Sequence, residues 1–390
     1  MPADPRPRGG KVAFVTYTMA HPFAVGVFFR ALRLGFEFHR RGWSFTICNA
    51  GPLPDDPKVR LGRELGEIVE LPGGDDDGKL RAGRELLRRL DPDLIVFGEG
   101  PFPSMEPYYR GARMLGPPFA VLDQFYDPRT LPQRWGVDLL LLYGVASLWE
   151  GQGGQDDPGY AVVPPFIEEV TAADRLPVPA PLLGAPWVMV LGFDERVLRG
   201  GIELFAAAGE EGAAIVTVSA HPGEAGRLLD RAGIAPGRRA TLPLLADPDL
   251  FGLFAASRVA IVANGFMQMM EALALGCPAI CIDRGIGMES WSLDDVWRPY
   301  ISLGESPEQQ RERLAGWLRH SPFSAAQRAA LARERGGAKA SVDLLTRVAR
   351  HPRPRPRLER LGSRLRWLLL GQPPPEAEAE DLTVEIAEGS

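Results

Sequence analysis

A short segment near residue 265 carries the strongest chemical signal in the sequence. In VANGFMQMMEALALGCP (262–278) a predicted strand ends at Asn264-Gly265 and a helix begins at once. The N–H groups and dipole of a helix N-terminus attract phosphate, and glycine lets an anion approach the backbone. Glu271 lies ~9 Å further along such a helix, which is about the reach from a diphosphate to a nucleotide ribose. The pattern predicts a nucleotide site, with a solvated glutamate on an amphipathic helix as the alternative.

Alternating strand and helix patterns surround this segment. The runs VAFVTYT (12–18) and WSFTIC (43–48) predict buried parallel strands, and residues 22–41 between them have helical spacing. Such a strand, helix and strand form a βαβ unit. The pattern continues to about residue 165 and starts again at residue 187. We expect an α/β protein with two Rossmann-like, doubly wound domains, 1–167 and 187–350, facing across a cleft.

Two regions differ from these domains in composition. Residues 168–186 are rich in proline and alanine, which predicts an extended, semi-rigid interdomain linker. Residues 351–390 begin with a predicted basic amphipathic helix and end in an acidic, proline-rich tail that we expect to be disordered. The basic part (353–370) has the pattern of a helix that lies on an anionic membrane. We favour packing against the first domain, because such a membrane would repel the acidic tail.

Composition excludes several other classes of protein. The chain has 390 residues, of which 45% are apolar and 24% charged, and its net charge of −6 argues against nucleic acid as a partner. The three cysteines and five histidines match no zinc spacing, so we expect no metal and a reducing compartment. No secretory signal or apolar span is evident, which predicts a cytoplasmic protein.

The segment FAASRVAIVANGFMQMMEALALGCPAICID (254–283) resembles the donor-nucleotide segment of GT-B glycosyltransferases. The similarity is greatest to the peptidoglycan N-acetylglucosaminyltransferase and the macrolide and plant glucosyltransferases. Those families place Ser-Gly or Gly-Gly at Asn264-Gly265 and a ribose-binding glutamate at Glu271. The resemblance covers residues 11–350 in layout, although its motifs are specific only here. It implies an inverting, metal-independent glycosyltransferase with no cofactor, which uses a nucleoside diphosphate sugar, by preference a UDP-sugar.

The resemblance also implies donor contacts at other strand ends of the second domain. Bulky Phe193 departs from the family, which has Gly-Gly-Ser or Gly-Ser there, and the turn at Leu244 corresponds to the segment that reads the base. His221 either touches phosphate or forms a turn before Pro222, and Arg284 either suits an acidic sugar or pairs with Asp283. The predicted donor set is Gly192, Phe193, His221, Leu244, Asn264, Gly265, Phe266, Met267, Glu271, Arg284 and Glu289.

The first domain should supply the acid–base chemistry. Related enzymes carry a histidine base after the first strand, and TYTMAHPFAVG places His21 there. A helix N-terminus disfavours the imidazolium form and leaves the ring able to accept a proton, while capping of its own helix is the alternative. Asp123 is the expected orienting carboxylate, and Glu99 either contacts the acceptor or is merely solvated. The predicted acceptor-binding aromatic residues are Phe102, Tyr108, Phe125 and Tyr126.

The aromatic set favours a small, planar acceptor such as a natural product or a nucleobase, with a membrane lipid as the rival. Two other functions stay open. One is a nucleotide-sugar epimerase or hydrolase, although epimerases are expected to carry Ser-Gly-Gly-x-Gln-Glu-Glu, whereas Gln268 and Glu271 are three residues apart here. The other is a non-catalytic nucleotide-binding relative.

Overall fold

The structure is a computed structural model that describes residues 9–18, 25–98, 105–123, 137–144, 160–179, 182, 184–263, 265–283 and 298–351. Side chains at Val25, Tyr160 and Phe266 are outside the description. The predicted tail beyond residue 351 is also outside it. The predicted site residues that fall outside are His21, Glu99, Phe102, Phe125, Tyr126, Asn264, Arg284 and Glu289.

The first sheet has seven parallel strands among the described residues, in the order β3-β2-β1-β4-β5-β6-β7. The strands are β1 (Lys11–Tyr17), β2 (Ser44–Ala50), β3 (Glu67–Glu70), β4 (Leu94–Phe97), β5 (Phe119–Asp123), β6 (Leu139–Tyr143) and β7 (Tyr160–Val163). Its helices are α1 (Val25–Arg40), α2 (Pro57–Leu65), α3 (Asp76–Leu90) and α4 (Glu106–Arg113). Every residue of β4, β5 and β6 is buried, as expected for parallel strands that are covered on both faces.

The second sheet has six parallel strands within the described ranges, in the order β10-β9-β8-β11-β12-β13. The strands are β8 (Trp187–Gly192), β9 (Ala214–Ser219), β10 (Arg239–Leu242), β11 (Val259–Ala263), β12 (Ala279–Ile282) and β13 (Ile301–Ser302). The helices are α5 (Glu195–Ala208), α6 (Pro222–Arg231), α7 (Asp247–Ala256), α8 (Phe266–Ala274), α9 (Pro307–Arg319), α10 (Ala325–Leu331) and α11 (Gly337–Arg350). Two doubly wound α/β sheets confirm the predicted fold class.

The segment between the sheets is extended and packs against the second domain, and its role as a linker stays a prediction. Phe166 and Ile167 are buried, and a 3₁₀ turn (Ala173–Arg175) interrupts the extended chain. Thr171 donates its hydroxyl to Asp249 at 2.7 Å, and its N–H donates to the carbonyl of Pro248 at 2.9 Å. The apolar residues between the prolines therefore dock this segment on α7.

The last helix returns to the first sheet. α11 packs against α1, β6 and β7, and buries Val342 and Leu345 there. Its N-terminus is held by Glu168, whose carboxylate accepts hydrogen bonds from the N–H groups of Ala338 at 3.0 Å and Lys339 at 3.3 Å. The predicted boundary at residue 350 stays a prediction, although α11 lies against the first domain.

One continuous apolar cluster joins the two sheets. It contains Phe14 of β1 and Phe28 of α1 together with Met189 of β8 and Met270 of α8, all of them fully buried. This shared cluster packs the two domains against each other.

No helix in the described residues is long and apolar enough to cross a membrane.

Candidate functional site

Each sheet has one point where the strand order reverses. In the second sheet the reversal lies between β8 and β11, which end at Gly192 and Ala263. In the first sheet it lies between β1 and β4. Open α/β sheets bind ligands outside the carboxyl ends of their strands at such reversals. The two reversals therefore define the candidate site, and α8 begins at one of them.

Among the described residues, the start of α8 is open. Gly265 is the N-cap residue and has no side chain to cap the helix, and a Cβ added there would meet no described atom within 4 Å. Its φ of −102° is available to any residue, so the backbone does not require glycine. In contrast, the carboxylate of Asp194 caps α5 by accepting from Arg196 N at 2.7 Å. The first N–H groups of α8 thus have room for an anion, whereas those of α5 already bind the carboxylate of Asp194.

Two polar side chains on α8 lie beyond this open end. The side-chain oxygen of Gln268 is buried and has no hydrogen-bond partner among the described residues. Glu271 is 1% exposed, so the alternative of a solvated glutamate is wrong. Burial raises the pKa of Glu271, and the nearby charge of Arg33 opposes that rise. Glu271 is a carboxylate removed from water that requires hydrogen-bond donors.

Arg33 of α1 supplies those donors from the first domain. Its Nη1 donates to Glu271, while Nε and Nη2 donate to the two oxygens of Asp247 at 2.7 and 3.1 Å. Lys58 of α2 also binds Asp247, with Nζ 2.7 Å from Oδ1. The charge of Glu271 is second only to burial in raising the pKa of Tyr143. Glu271 thus faces the first domain, and ribose contact would require it to exchange Arg33 for the nucleotide.

Arg33, Lys58 and Asp247 were missed by the sequence reasoning. A signal was present in α1, where Arg30, Arg33 and Glu37 recur at the spacing of the apolar residues, and all three are buried. Charged residues on the buried face of a helix need partners from elsewhere in the chain. Which partners they have could not be inferred from that helix alone.

Comparisons with known proteins agree with this architecture. No protein-family model and no curated protein matches the sequence. Among solved structures, the calicheamicin glycosyltransferase CalG4 has a TM-score of 0.59 at 17% identity, covering 90% of this chain and 100% of its own. MurG of Acinetobacter baumannii has a TM-score of 0.56 at 12% identity, covering 86% of this chain and 99% of its own. The chain has the GT-B fold.

The GT-B fold alone does not choose the reaction. UDP-GlcNAc 2-epimerase from Neisseria meningitidis, solved with bound UDP-GlcNAc, also matches this chain, with a TM-score of 0.53 at 12% identity. It covers 86% of this chain and 99% of its own. Both transferases and an epimerase therefore share the GT-B fold, and the reaction that this chain catalyses must be inferred from individual residues.

The remaining donor residues of this GT-B chain occupy different environments. Gly192 is required by packing, because a Cβ there would lie 2.8 Å from Cβ of Leu198. Phe193 follows it and is 41% exposed at the strand reversal. His221 is the exposed N-cap residue of α6 and makes no side-chain cap, while Leu244 is half-buried. Phe193 and His221 are thus accessible at strand ends, and their donor contacts stay predictions.

Of the three acid–base candidates, the structure describes Asp123. Asp123 is the last residue of β5, is fully buried and lies in register with Leu142. The chain segments that follow β1 and β4 carry His21 and Glu99, which lie outside the described residues. Arg30 donates to the carbonyl of Gly98, just after β4, at 3.1 Å. Asp123 therefore lies at the carboxyl edge of β5, and the catalytic roles of all three candidates stay predictions.

Tyr108 has a different position from the one expected of an acceptor-binding ring. It is 2% exposed on α4, and a Cβ on Gly83 of α3 would lie 2.6 Å from its ring. Its hydroxyl donates to the carbonyl of Pro72, and burial raises its pKa. In this structure Tyr108 is a core residue between two helices, and contact with an acceptor would require the ring to leave that position.

Proposed function

We propose that the chain is a glycosyltransferase that uses a nucleoside diphosphate sugar. The proposal is carried by the open, uncapped start of α8 at the strand reversal, with Glu271 on the same helix. Backbone N–H groups at that end attract a diphosphate, and the carboxylate of Glu271 is an acceptor for ribose hydroxyls. The GT-B fold, which CalG4 and MurG share, supports this assignment.

The proposed reaction is a direct, inverting and metal-independent displacement. His21 removes the proton from the acceptor hydroxyl or amine, and Asp123 orients its ring. The acceptor then attacks the anomeric carbon as the bond to the diphosphate oxygen breaks. The N-terminus of α8 stabilises the negative charge that develops on this leaving group. Glu99 contacts the acceptor, or replaces His21 as the base.

The proposed donor is a UDP-sugar and the proposed acceptor a small planar molecule. Support for the donor comes from the resemblance of residues 254–283 and from the bound UDP-GlcNAc in the N. meningitidis epimerase of the same fold. The exposed ring of Phe193 beside the strand reversal offers an apolar surface next to the sugar position. A membrane-lipid acceptor is the rival.

An epimerase is the second candidate, because an epimerase shares the fold. The two reactions differ in their products. Incubation with UDP-GlcNAc alone should leave the sugar configuration unchanged if the chain is a transferase, whereas an epimerase inverts C2 without any acceptor. Nuclear magnetic resonance of the nucleotide sugar distinguishes these outcomes.

Binding is the first test of the transferase proposal. Calorimetry with UDP, TDP, GDP and ADP should show binding, and UDP should bind most tightly. Glu271→Gln keeps the shape of the side chain but removes its charge, so it should weaken UDP binding by roughly 1.5–3 kcal/mol, the range for a hydrogen bond to a charged group. Glu312→Ala, at an exposed position of α9, is the matched control and should bind UDP normally.

Turnover tests the base. His21→Ala should lower the transfer rate ~10²- to 10⁴-fold, as loss of a general base does, while the affinity for UDP stays unchanged. Turnover within a few-fold of wild type would remove His21 from the mechanism and make Glu99 or Asp123 the leading base.

A further inference from the structure

Four charged side chains meet between the two domains of the chain. Arg33 and Lys58 come from the first domain, and Asp247 and Glu271 come from the second. The two positive charges balance the two negative ones. The side chains of Arg33 and Glu271 are only 8% and 2% exposed, so their ion pair is shielded from solvent. We call these four residues the interdomain cluster.

Arg33 holds its two carboxylate partners in unequal ways. It binds Asp247 at two points, through Nε and Nη2, and its guanidinium carbon lies 5.2 Å from the ring centre of Phe251 on the same helix as Asp247. It binds Glu271 at one point, through Nη1. A two-point, fork-like pair with a carboxylate is stronger and more rigid than a single contact. Asp247 therefore keeps Arg33 in place when Glu271 is withdrawn.

Glu271 also has a second possible set of donors. The open start of α8 lies on its own helix, ~9 Å away by the helical rise. A diphosphate bound at that start brings the two ribose hydroxyls of its nucleotide within reach of the same carboxylate. Because a buried carboxylate cannot be left without donors, those hydroxyls and the Nη1 group of Arg33 compete for one position.

We propose that Arg33 is a positioning residue of the donor site that occupies the Glu271 carboxylate in the nucleotide-free protein and yields it to the ribose hydroxyls when a nucleoside diphosphate binds. This inference rests on the proposed function. Asp247 is the anchor that retains Arg33 during the exchange. Every nucleotide that carries a ribose must therefore displace one hydrogen bond of Arg33.

The test compares UDP with 2′,3′-dideoxyuridine diphosphate, which lacks both ribose hydroxyls. The dissociation constant of the dideoxy compound divided by that of UDP measures how much the hydroxyls contribute to binding. General effects of a substitution on domain closure act on both constants and cancel in this ratio. In Arg33→Met the hydroxyls have no competitor, so this ratio should rise about tenfold above the wild-type ratio, the order of one hydrogen bond to a charged group. Calorimetry on the full chain provides both constants.

Lys58→Met is the matched control, because it also removes one positive charge from the interdomain cluster, but Lys58 binds Asp247 and forms no hydrogen bond or ion pair with Glu271 among the described residues. Its ratio should equal that of the wild type. Arg33→Lys serves as the second variant where Arg33→Met folds poorly. Its single ammonium cannot span both carboxylates, so its ratio should also rise.

The possible failures can be told apart. If the wild-type chain binds UDP and the ratio is the same in wild type, Arg33→Met and Arg33→Lys, the role of Arg33 is overturned and the proposed function survives. If the wild-type chain binds neither nucleotide, the role of Arg33 and the proposed function are both overturned. A ratio that rises equally in Lys58→Met also overturns the exchange, because it attributes the effect to the cluster as a whole.

Discussion

Arg33 and Asp247 form a two-point ion pair between the domains, with Nε–Oδ2 and Nη2–Oδ1 distances of 2.7 and 3.1 Å. The two residues are far apart in sequence, and α1 and α7 bring them together. Lys58 adds a second cation to the same carboxylate at 2.7 Å. Asp247 is therefore the anion that links two elements of the first domain to the second.

We expect Asp247→Asn to destabilise the protein. The change leaves Lys58 without its carboxylate and Arg33 with Glu271 alone. The free energy of unfolding should fall by about 2 kcal/mol, less than the ~3–5 kcal/mol of a wholly buried pair, because Asp247 is 22% exposed. Urea unfolding measures the loss. Asp343→Asn is the control: Asp343 is 57% exposed in its pair with Arg41, so that loss should stay within ~1 kcal/mol.

The same carboxylate should make stability depend on pH. Burial alone raises the pKa of Asp247, but the charges of Arg33 and Lys58 outweigh burial and hold the pKa well below its usual value. Its contribution is therefore present above the unfolded pKa of ~3.9 and is lost as the pH falls below that value. The stability difference between wild type and Asp247→Asn should shrink from about pH 5 towards pH 3. A constant difference across this range would contradict the pKa assignment.

The three cysteines should be unreactive in the folded protein. Burial raises the pKa of Cys48 and of Cys277 to about 12, and it raises that of Cys281 as well. The thiolate is the reactive form, and these thiols are also shielded from solvent. A disulfide reagent at about pH 8 should label no cysteine in the native chain and all three in urea. Rapid labelling of one native thiol would show that its surroundings open.

Glu168 should stabilise α11 by accepting from two of its first N–H groups. Glu168→Ala removes this cap, and loss of a helix cap costs ~1 kcal/mol. The adjacent Glu169 is exposed and offers a matched control, since Glu169→Ala should change stability by only a few tenths of that amount. Equal losses in both variants, measured by urea unfolding, would contradict the role of Glu168.

The sequence predicted the inner strands of the fold better than the outer ones. β8 and β11 are apolar and buried along their whole length, and β1 is buried after Lys11, because both faces of these strands are covered. This pattern can be recognised without knowing which strands are neighbours. In contrast, β3 begins and ends with glutamate, and β13 has two residues. Edge strands of this kind carry too little apolar pattern to be recognised.

Only those features of the site that lie within the single helix α8 could be predicted from the sequence. The start of α8 at Gly265 and the position of Glu271 on the same helix follow from local spacing, and the structure has both there. Their contacts with a donor stay predictions. The pairing of Glu271 with Arg33 joins residues from separate domains. This pair could not be predicted from the sequence. A buried charged residue shows that a partner of opposite charge is needed, but it does not show which residue that partner is. Tyr108 illustrates the same limit, since its burial depends on the neighbouring α3.

Because α11 returns to the first sheet, the apolar surface of that sheet is fully covered only late in synthesis. All strands of the first sheet leave the ribosome before Trp187, but Val342 and Leu345 follow only after the whole second sheet. Domains tend to fold as they emerge, so apolar surface on β6 and α1 stays uncovered on the nascent chain in that interval, open to chaperones. Domain exchange with another GT-B protein must accordingly transfer α11 together with the first domain.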